Sequence, residues 1–466
     1  MDRREFCKTL LQTSALAAWP GFVLAAQAKS DQDVLFIEAP HADYNAYRAL
    51  FNKNIDHKPR LIAVCFNEQG VIKGLAEADK RGLPVSIKSG GHSFEGYSVV
   101  PDSLVIDLTN MNSHQLSTDG RLVTDPATRL MQLYEDLVPK GRLLPTGSCG
   151  MVGIAGLTLG GGYGIFAREY GLTCDYLKRA RLVDAQGKVH EVEAGSDLFW
   201  ACQGGGNGHF GVVTRLEFDT VAAPTHLWRH VFKAYKLDAA RAITLMEHWF
   251  DISRRLPDSC FAAFVLNHRT LTLLVTNTAV TPDAVVQGLL SELEKLTDKR
   301  YSDKRVELTK EVKRYYGILT PLYFKNASAG FYEGYADIKP MMPEVINKVI
   351  NTRSVIFQVN TLGGAIKRRD VTATAYAHRN ANYLAEVQSY WNKPEQADTA
   401  IQAVQHIQST LWHGGVRAHY ANYPDSWFPD WAHAYYGEKN LARLQQIKRK
   451  YDPGNRFRYA QSIQPA

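Results

Sequence analysis

From about Pro59 the chain switches repeatedly between strand-like and helix-like patterns of hydrophobic positions. RLIAVCF reads as a strand, GVIKGLAEADKRG as a helix, PVSIK as a strand and SLVIDL as another, a βαβ rhythm with the glycine loop Ser89-Gly90-Gly91-His92-Ser93 inside it. A second strand and helix pair follows, RLVTDPA and RLMQLYEDLVPKG, and then a glycine-dense run, SCGMVGIAGLTLGGGYG. LKRARLVDAQGKVHEVEA predicts a hairpin turned at Gln186-Gly187. These elements describe one glycine-punctuated α+β domain over residues 55–222.

The patterning changes near Ala223-Pro224, beyond which glycine is sparse. LWRHVFKAY, CFAAFVLNHRTLTLLVTN, SVIFQVNTLGGAI and TAYAHR read as strands, mixed with the amphipathic helices DAARAITLMEHWFDISRRL and PDAVVQGLLSELEKL. The expectation is a second domain over 223–416 built on an antiparallel sheet flanked by helices. A tail over 417–466 carries RAHYANYPD, a helix at EKNLARLQQIKRKY and a closing YDPGNRFRYAQSI.

Length and composition agree with two domains: 466 residues, 45% of them hydrophobic, exceed what one ordinary core holds. The 54 basic and 47 acidic residues leave a net +7 spread along the chain, with no run that would mark a nucleic-acid arm. The first 28 residues read as an export signal of the twin-arginine type: the pair Arg3-Arg4, a short apolar stretch, and Ala26-Gln27-Ala28 as a small-x-small cleavage site. The apolar part is shorter than the roughly 20 residues of a membrane span. The expectation is therefore an exported protein, periplasmic or extracellular, with no membrane segment after cleavage. Without Cys7 the cysteines number five, an odd count in a compartment that favours disulfides, and no CxxC spacing suggests a metal site.

Three glycine loops fall in the first domain: SGGHS, the glycines of 147–164, and GGGNG at 204–208. Consecutive glycines let backbone N–H groups converge on a diphosphate, and three such loops are a large sacrifice of backbone entropy in the absence of a ligand. Gly160-Gly161-Gly162-Tyr163-Gly164 lacks the dinucleotide fingerprint register and no Walker A pattern occurs, so a nucleotide cofactor would be held in another way. His92 and Cys149 each stand inside one of these loops. Either alone reads as an ordinary surface or packing residue; their joint occurrence does not.

Taken together, SGGHSFEGYSV, TGSCGMVGIAGLTLGGGYG, DLFWACQGGGNGHFGVVT and YDPGNRFRYAQSI resemble the berberine-bridge-enzyme-like FAD-linked oxidases, within the vanillyl-alcohol-oxidase superfamily with its PCMH-type FAD-binding fold. The resemblance runs from about residue 55 to the C-terminus. It implies FAD bonded through His92 at the flavin 8-methyl carbon and through Cys149 at carbon 6, imidazole and thiolate being side chains able to add to an electron-poor flavin. It further implies a cofactor cradle of Ser89, Gly90, Gly91, Ser93, Gly147, Ser148, Val152, Gly153, Gly156, Gly162, Gly208, Val213 and Asn455. Val152 matches a position where a small side chain accompanies ready reaction with oxygen.

Tyr163 and Phe94 match positions lining the active site of relatives, and Tyr420 and Tyr423 the region that supplies the catalytic tyrosine, whose phenolate removes the substrate's hydroxyl proton. A phenol of ordinary pKa about 10 needs a neighbouring donor or cation to serve as base. Gln358 and Asn360 alternate along one strand and so share a face, where relatives carry a carboxylate or amide assisting the base. The amide at Gln358, and Leu157 where the plant alkaloid enzyme has a histidine, argue against alkaloid ring closure. The implied activity is oxidation of a sugar or oligosaccharide hydroxyl by hydride transfer to flavin N5, with O2 reduced to H2O2 and a small-molecule substrate as the one organic partner. A secondary-metabolite, polyketide-like alcohol is the alternative. Neither nucleic acid nor metal is expected, and the protein is expected to be a monomer. Trp391, Trp412, Trp427 and Trp431 are candidates for sugar stacking.

Overall fold

The computed structural model describes residues 32–281 and 283–466. The export signal expected over 1–28 lies outside the described residues. No described helix is long and apolar enough to cross a membrane.

The first domain contains two larger sheets and a two-stranded one that pairs Arg142–Leu143 with Val221–Ala222. One is four-stranded, formed by β1 (Val34–Ile37), β2 (Leu61–Cys65), β3 (Val85–Lys88) and β4 (Leu104–Asp107) in the order β1-β2-β4-β3. Strands β2, β4 and β3 are parallel, as the helix α1 (Glu68–Lys80) between β2 and β3 requires. All five residues of β2 and all four of β4 are buried, the mark of strands covered on both faces. Strand β1 pairs antiparallel with β2 and seals Ile37 against the core, so this domain begins before the expected residue 55. VLFI is too short a strand to stand out by pattern. The other sheet comprises β5 (His114–Leu116), β6 (Arg121–Thr124), β7 (Leu177–Val183), β8 (Val189–Glu193) and β9 (Val212–Asp219), in the order β5-β6-β9-β7-β8, with α2 (Leu130–Leu137) after β6.

The second domain is one seven-stranded antiparallel sheet. Its strands are β10 (His226–Ala234), β11 (Cys260–Asn267), β12 (Thr270–Asn277), β13 (Lys299–Glu307), β14 (Tyr323–Tyr332), β15 (Val355–Thr361) and β16 (Tyr383–Trp391), ordered β13-β10-β12-β11-β15-β16-β14. Alternation along each strand gives the sheet two different faces. Cys260, Ala262, Phe264 and Leu266 of β11, Val355, Phe357 and Val359 of β15, and Ala385 and Val387 of β16 enter a core under the helices α3 (Ala239–Arg254), α4 (Ala284–Leu296), α5 (Met342–Asn351) and α6 (Ala397–His413). The intervening side chains, among them Val265, Gln358, Asn360, Glu386, Gln388 and Tyr390, face a cleft.

Two expectations change here. CFAAFVLNHRTLTLLVTN is not one strand but the hairpin β11–β12, turned at His268, whose φ is +51°. TAYAHR is not a strand. Ala375 and Tyr376 donate their backbone N–H groups to Trp200 O and Gln203 O, so this buried segment is tied to the first domain instead of to the sheet. The tail returns to the first domain through α7 (Trp431–Tyr451), kinked at Gly437, and a parallel bridge between Val85 and Phe457. The fully buried Lys448 donates to Asp452 and to the carbonyls of His209 and Phe457, which fixes that return.

Candidate active site

A cleft of about 2870 Å³ runs between the glycine loops of the first domain and the helix-free face of the seven-stranded sheet. The SGGHS loop leaves the C-terminal end of β3 and turns at Gly91, whose φ is +69°. Its partner is the loop that carries Cys149. The two meet at Gly90 and Gly153, where a Cβ on Gly153 would stand 2.6 Å from Ser89 Oγ and 2.8 Å from Gly90 N; only bare backbone fits. Phe51 braces the first loop. Its N–H donates to Gly91 O at 3.0 Å and its ring stacks on the His92 imidazole at 4.1 Å.

His92 Nε2 is buried without a hydrogen-bond partner. Burial first, and then the positive charge of Arg129, hold its pKa well below the usual histidine range, so the ring is neutral and able to act as a nucleophile. Cys149 is exposed, but what it is exposed to is the cleft. It lies deep enough that burial, ahead of the charge of Glu386, pushes its thiol up to about 11. Ser89, Gly90, Gly91, Ser93, Gly147, Ser148, Val152, Gly153, Gly156, Gly208 and Val213 all line the same cleft. At Gly156 a Cβ would meet open space, and in the third loop Gly206 and Gly208 have φ of +94° and +68° around Asn207, whose buried Oδ1 has no partner. A buried unpaired imidazole nitrogen, a cleft-facing thiol and an unpaired amide oxygen beside bare backbone fit a large polar, ring-bearing cofactor such as FAD.

The sheet face carries the opposite wall. Gln358 Nε2 donates to Asn360 Oδ1 at 2.9 Å, Asn360 Nδ2 to Tyr163 Oη at 3.2 Å, and the phenols of Tyr163 and Tyr423 are 2.9 Å apart. Phe94 stacks on Tyr423, 5.3 Å between centroids and 13° between planes. Tyr420, 2% exposed, is held otherwise: its oxygen accepts from Gly162 N and Asn422 Nδ2, both at 3.0 Å. Burial drives the pKa values of Tyr163 and Tyr423 well above the ordinary phenol range, and the carboxyl of Glu386 adds to both.

Glu386 escapes the sequence reasoning. It alternates with Gln388 and Tyr390 on β16, a period-two signal of the same kind that pairs Gln358 with Asn360. Only 6% exposed, it takes one hydrogen bond from Gln388 Nε2 at 2.8 Å, and burial pushes its carboxyl up to about 8. Also unforeseen is the ionic cluster behind the tyrosines, where buried Lys325 pairs with Asp425 at 2.8 Å and with Glu95. Glu95 follows Phe94 in the His92 loop and Asp425 follows Tyr423 by two, so this lysine of β14 ties both loops to the sheet.

Some expected residues lie elsewhere. Asn455 does not line the cleft: its φ of +47° closes a turn after α7, and Nδ2 donates to Gln464 near the C-terminus. Gly162 does not line it either; it takes φ +82° so that its N–H reaches Tyr420 from behind. Of the four tryptophans only Trp391 borders the cleft, whereas Trp412, Trp427 and Trp431 pack on the hydrophobic core of the first domain. Cys65, Cys174, Cys202 and Cys260 are buried and unpaired.

The family model described as FAD binding domain matches residues 59–193, and that of berberine and berberine-like proteins matches 419–464. The chain is similar to the uncharacterized FAD-linked oxidoreductase YgaK of Bacillus subtilis, with 29% identity over 91% of this chain and 95% of that protein. It is equally similar to the chitooligosaccharide oxidase of Gibberella zeae, with 29% identity over 94% and 93% of the two chains. Among solved structures, a chitooligosaccharide oxidase superimposes with a TM-score of 0.84 at 26% identity, covering 96% of this chain and all of that one. The BBE-like 1 protein of Physcomitrella patens shares the fold, with a TM-score of 0.84 at 23% identity over 93% and 97%.

Proposed function

Because the chain belongs to the berberine-bridge-enzyme-like FAD-linked oxidoreductases, we propose that it oxidises a hydroxyl of a sugar or oligosaccharide, with FAD bonded to His92 and Cys149, and returns the electrons to O2 as H2O2. The observation that carries this reading is the Tyr163–Tyr423 pair, reached by the Asn360 amide, on the wall of the cleft that also holds His92 and Cys149. The chitooligosaccharide oxidases among the similar proteins support the sugar class. So does the cleft wall, where Asn326, Gln358, Asn360 and Gln388 offer uncharged donors and acceptors to hydroxyl groups.

Bound FAD supplies the hydride acceptor. The chain supplies the base and its orientation. Asn360 Nδ2 donates to Tyr163 Oη, so the phenolic proton of Tyr163 is free to point at Tyr423 Oη. Burial, and then the neighbouring Tyr163 and Glu386, hold the resting phenol of Tyr423 protonated, and a proton donated by Tyr163 stabilises its phenolate only as that phenolate forms. Tyr423 Oη then takes the proton of the substrate hydroxyl while Phe94, stacked on its ring, keeps the oxygen aimed into the cleft. Tyr420, which already accepts two donors, supports Asn422 and the Gly162 turn and is not the base. Val152, a small side chain beside Cys149, leaves a path for O2. The paired arginines at positions 3 and 4 support export of the protein.

The test is peroxide release from a panel of mono- and oligosaccharides and simple alcohols in air. Turnover of sugars is the expected result. Peroxide from polyketide-like alcohols alone would reject the sugar class, and reduction without peroxide would reject the oxidase.

A further inference from the structure

Arg129 stands where the two attachment loops meet, and neither the proton chain nor the base makes use of it. It lies at the N-cap of α2, where its own N–H donates to Gln132 Oε1 at 2.8 Å. The backbone around it is laced to the Cys149 loop: Leu130 N donates to Val152 O, Met131 N to Gly150 O, and Ile154 N returns to Thr128 O. The side chain then crosses to the other loop. One guanidinium nitrogen, Nη1, donates to Gly90 O at 2.6 Å and to Met151 O at 2.7 Å. Gly90 is two residues before His92, and Met151 two after Cys149.

The cost of this arrangement indicates a purpose. Arg129 is 5% exposed, and burying a guanidinium is unfavourable unless its donors and charge are answered. The carboxylate whose field it feels, Asp107, is already paired at 3.1 Å with Lys88, itself buried. Burial keeps the His92 imidazole neutral, the form that bonds to carbon, and the positive charge of Arg129 adds to it, while the two N–H groups of one planar nitrogen on two carbonyls fix the distance between two loops that share no other side-chain clamp of this kind among the described residues.

We propose that Arg129 is a positioning residue for cofactor attachment: its guanidinium holds the His92 and Cys149 loops in one register, so that both bonds form on the same FAD. This rests on the attachment reading above. Each attachment replaces an N–H or S–H hydrogen and a flavin C–H hydrogen with a C–N or C–S bond, a two-electron oxidation for which O2 is the oxidant and H2O2 the product.

The experiment is peptide mapping by mass of the purified flavin-bearing full chain, comparing wild type with Arg129→Gln and Arg129→Lys. In wild type the His92 and Cys149 peptides are expected joined through one flavin. Arg129→Gln is expected to leave most of its flavin on one peptide only, and Arg129→Lys to fall between, since lysine keeps the charge but not the planar fork. An unchanged joined fraction in Arg129→Gln overturns the proposal, whether or not yield or Tm has fallen, because a purely structural role lowers those and leaves the ratio alone. If Arg129→Gln gives no folded protein, the same ratio in Arg129→Lys decides. Flavin on neither wild-type peptide would instead remove the attachment reading and the clamp with it.

Discussion

The phenol oxygens of Tyr163 and Tyr423 stand 2.9 Å apart, and the Asn360 amide donates to the first of them. With Tyr423 proposed as the base, its loss is expected to cost far more than the loss of Tyr163. Tyr423→Phe is expected to slow anaerobic flavin reduction by substrate on the order of 10²- to 10⁴-fold, the usual worth of a general base. Tyr163→Phe removes one supporting hydrogen bond and is expected to cost up to about tenfold. Stopped-flow absorbance measures both, and equal losses would contradict the assignment.

Glu386 makes stability depend on pH. Its carboxyl, pushed up to about 8 in the fold, holds a proton that the unfolded chain releases near 4.5. The native state thus binds more protons than the unfolded one across that window, so this contribution is full below pH 4.5, falls as pH rises, and is gone above 8. Glu386→Gln removes the dependence. The Tm of the variant relative to wild type is expected to increase from pH 5 to pH 8 and to level off above it in thermal unfolding followed by circular dichroism; a constant difference would contradict the buried carboxyl without a cation.

The Gly90–Gly153 contact is a packing requirement. Gly153→Ala drives a methyl into Ser89 Oγ and Gly90 N, and overpacking of this kind costs about 1–3 kcal/mol. Lower Tm and a reduced flavin content per folded chain are expected together, measured by calorimetry and visible absorbance; normal values of both would show that the loops have slack.

Lys325 answers the buried carboxylate of Asp425 and the partly buried one of Glu95, and burial works against its charge while Asp425 and Glu95 hold its pKa above the ordinary lysine value. Lys325→Met leaves Glu95 and Asp425 facing each other without a cation. Denaturant unfolding is expected to show a loss of about 3–5 kcal/mol, where an unchanged midpoint would mean that the cluster is dispensable.

Much of this arrangement is visible in the sequence where a single strand or loop carries the signal. The alternation of Gln358 and Asn360 correctly assigns both to one face, and the glycines flanking His92 and Cys149 mark the loops that line the cleft. What escapes depends on partners distant in the chain. Arg129 binds backbone carbonyls, which no side-chain pattern reveals, and Glu386 is distinctive for lacking a cation, a property that exists only once β16 lies beside β15. TAYAHR misleads for a related reason: Ala375 and Tyr376 are buried by contacts with the first domain, so their hydrophobicity reflects tertiary packing, not a strand period. Asn455 illustrates the converse, a motif residue whose place is fixed by its backbone turn and not by the cleft.

The most direct test of a flavin anchored at two points is the mass of the denatured chain. Wild type is expected to retain one FAD after acid precipitation, His92→Ala and Cys149→Ala each to retain it through the remaining bond, and the double variant to release it all. A denatured wild-type chain carrying no flavin would contradict the account.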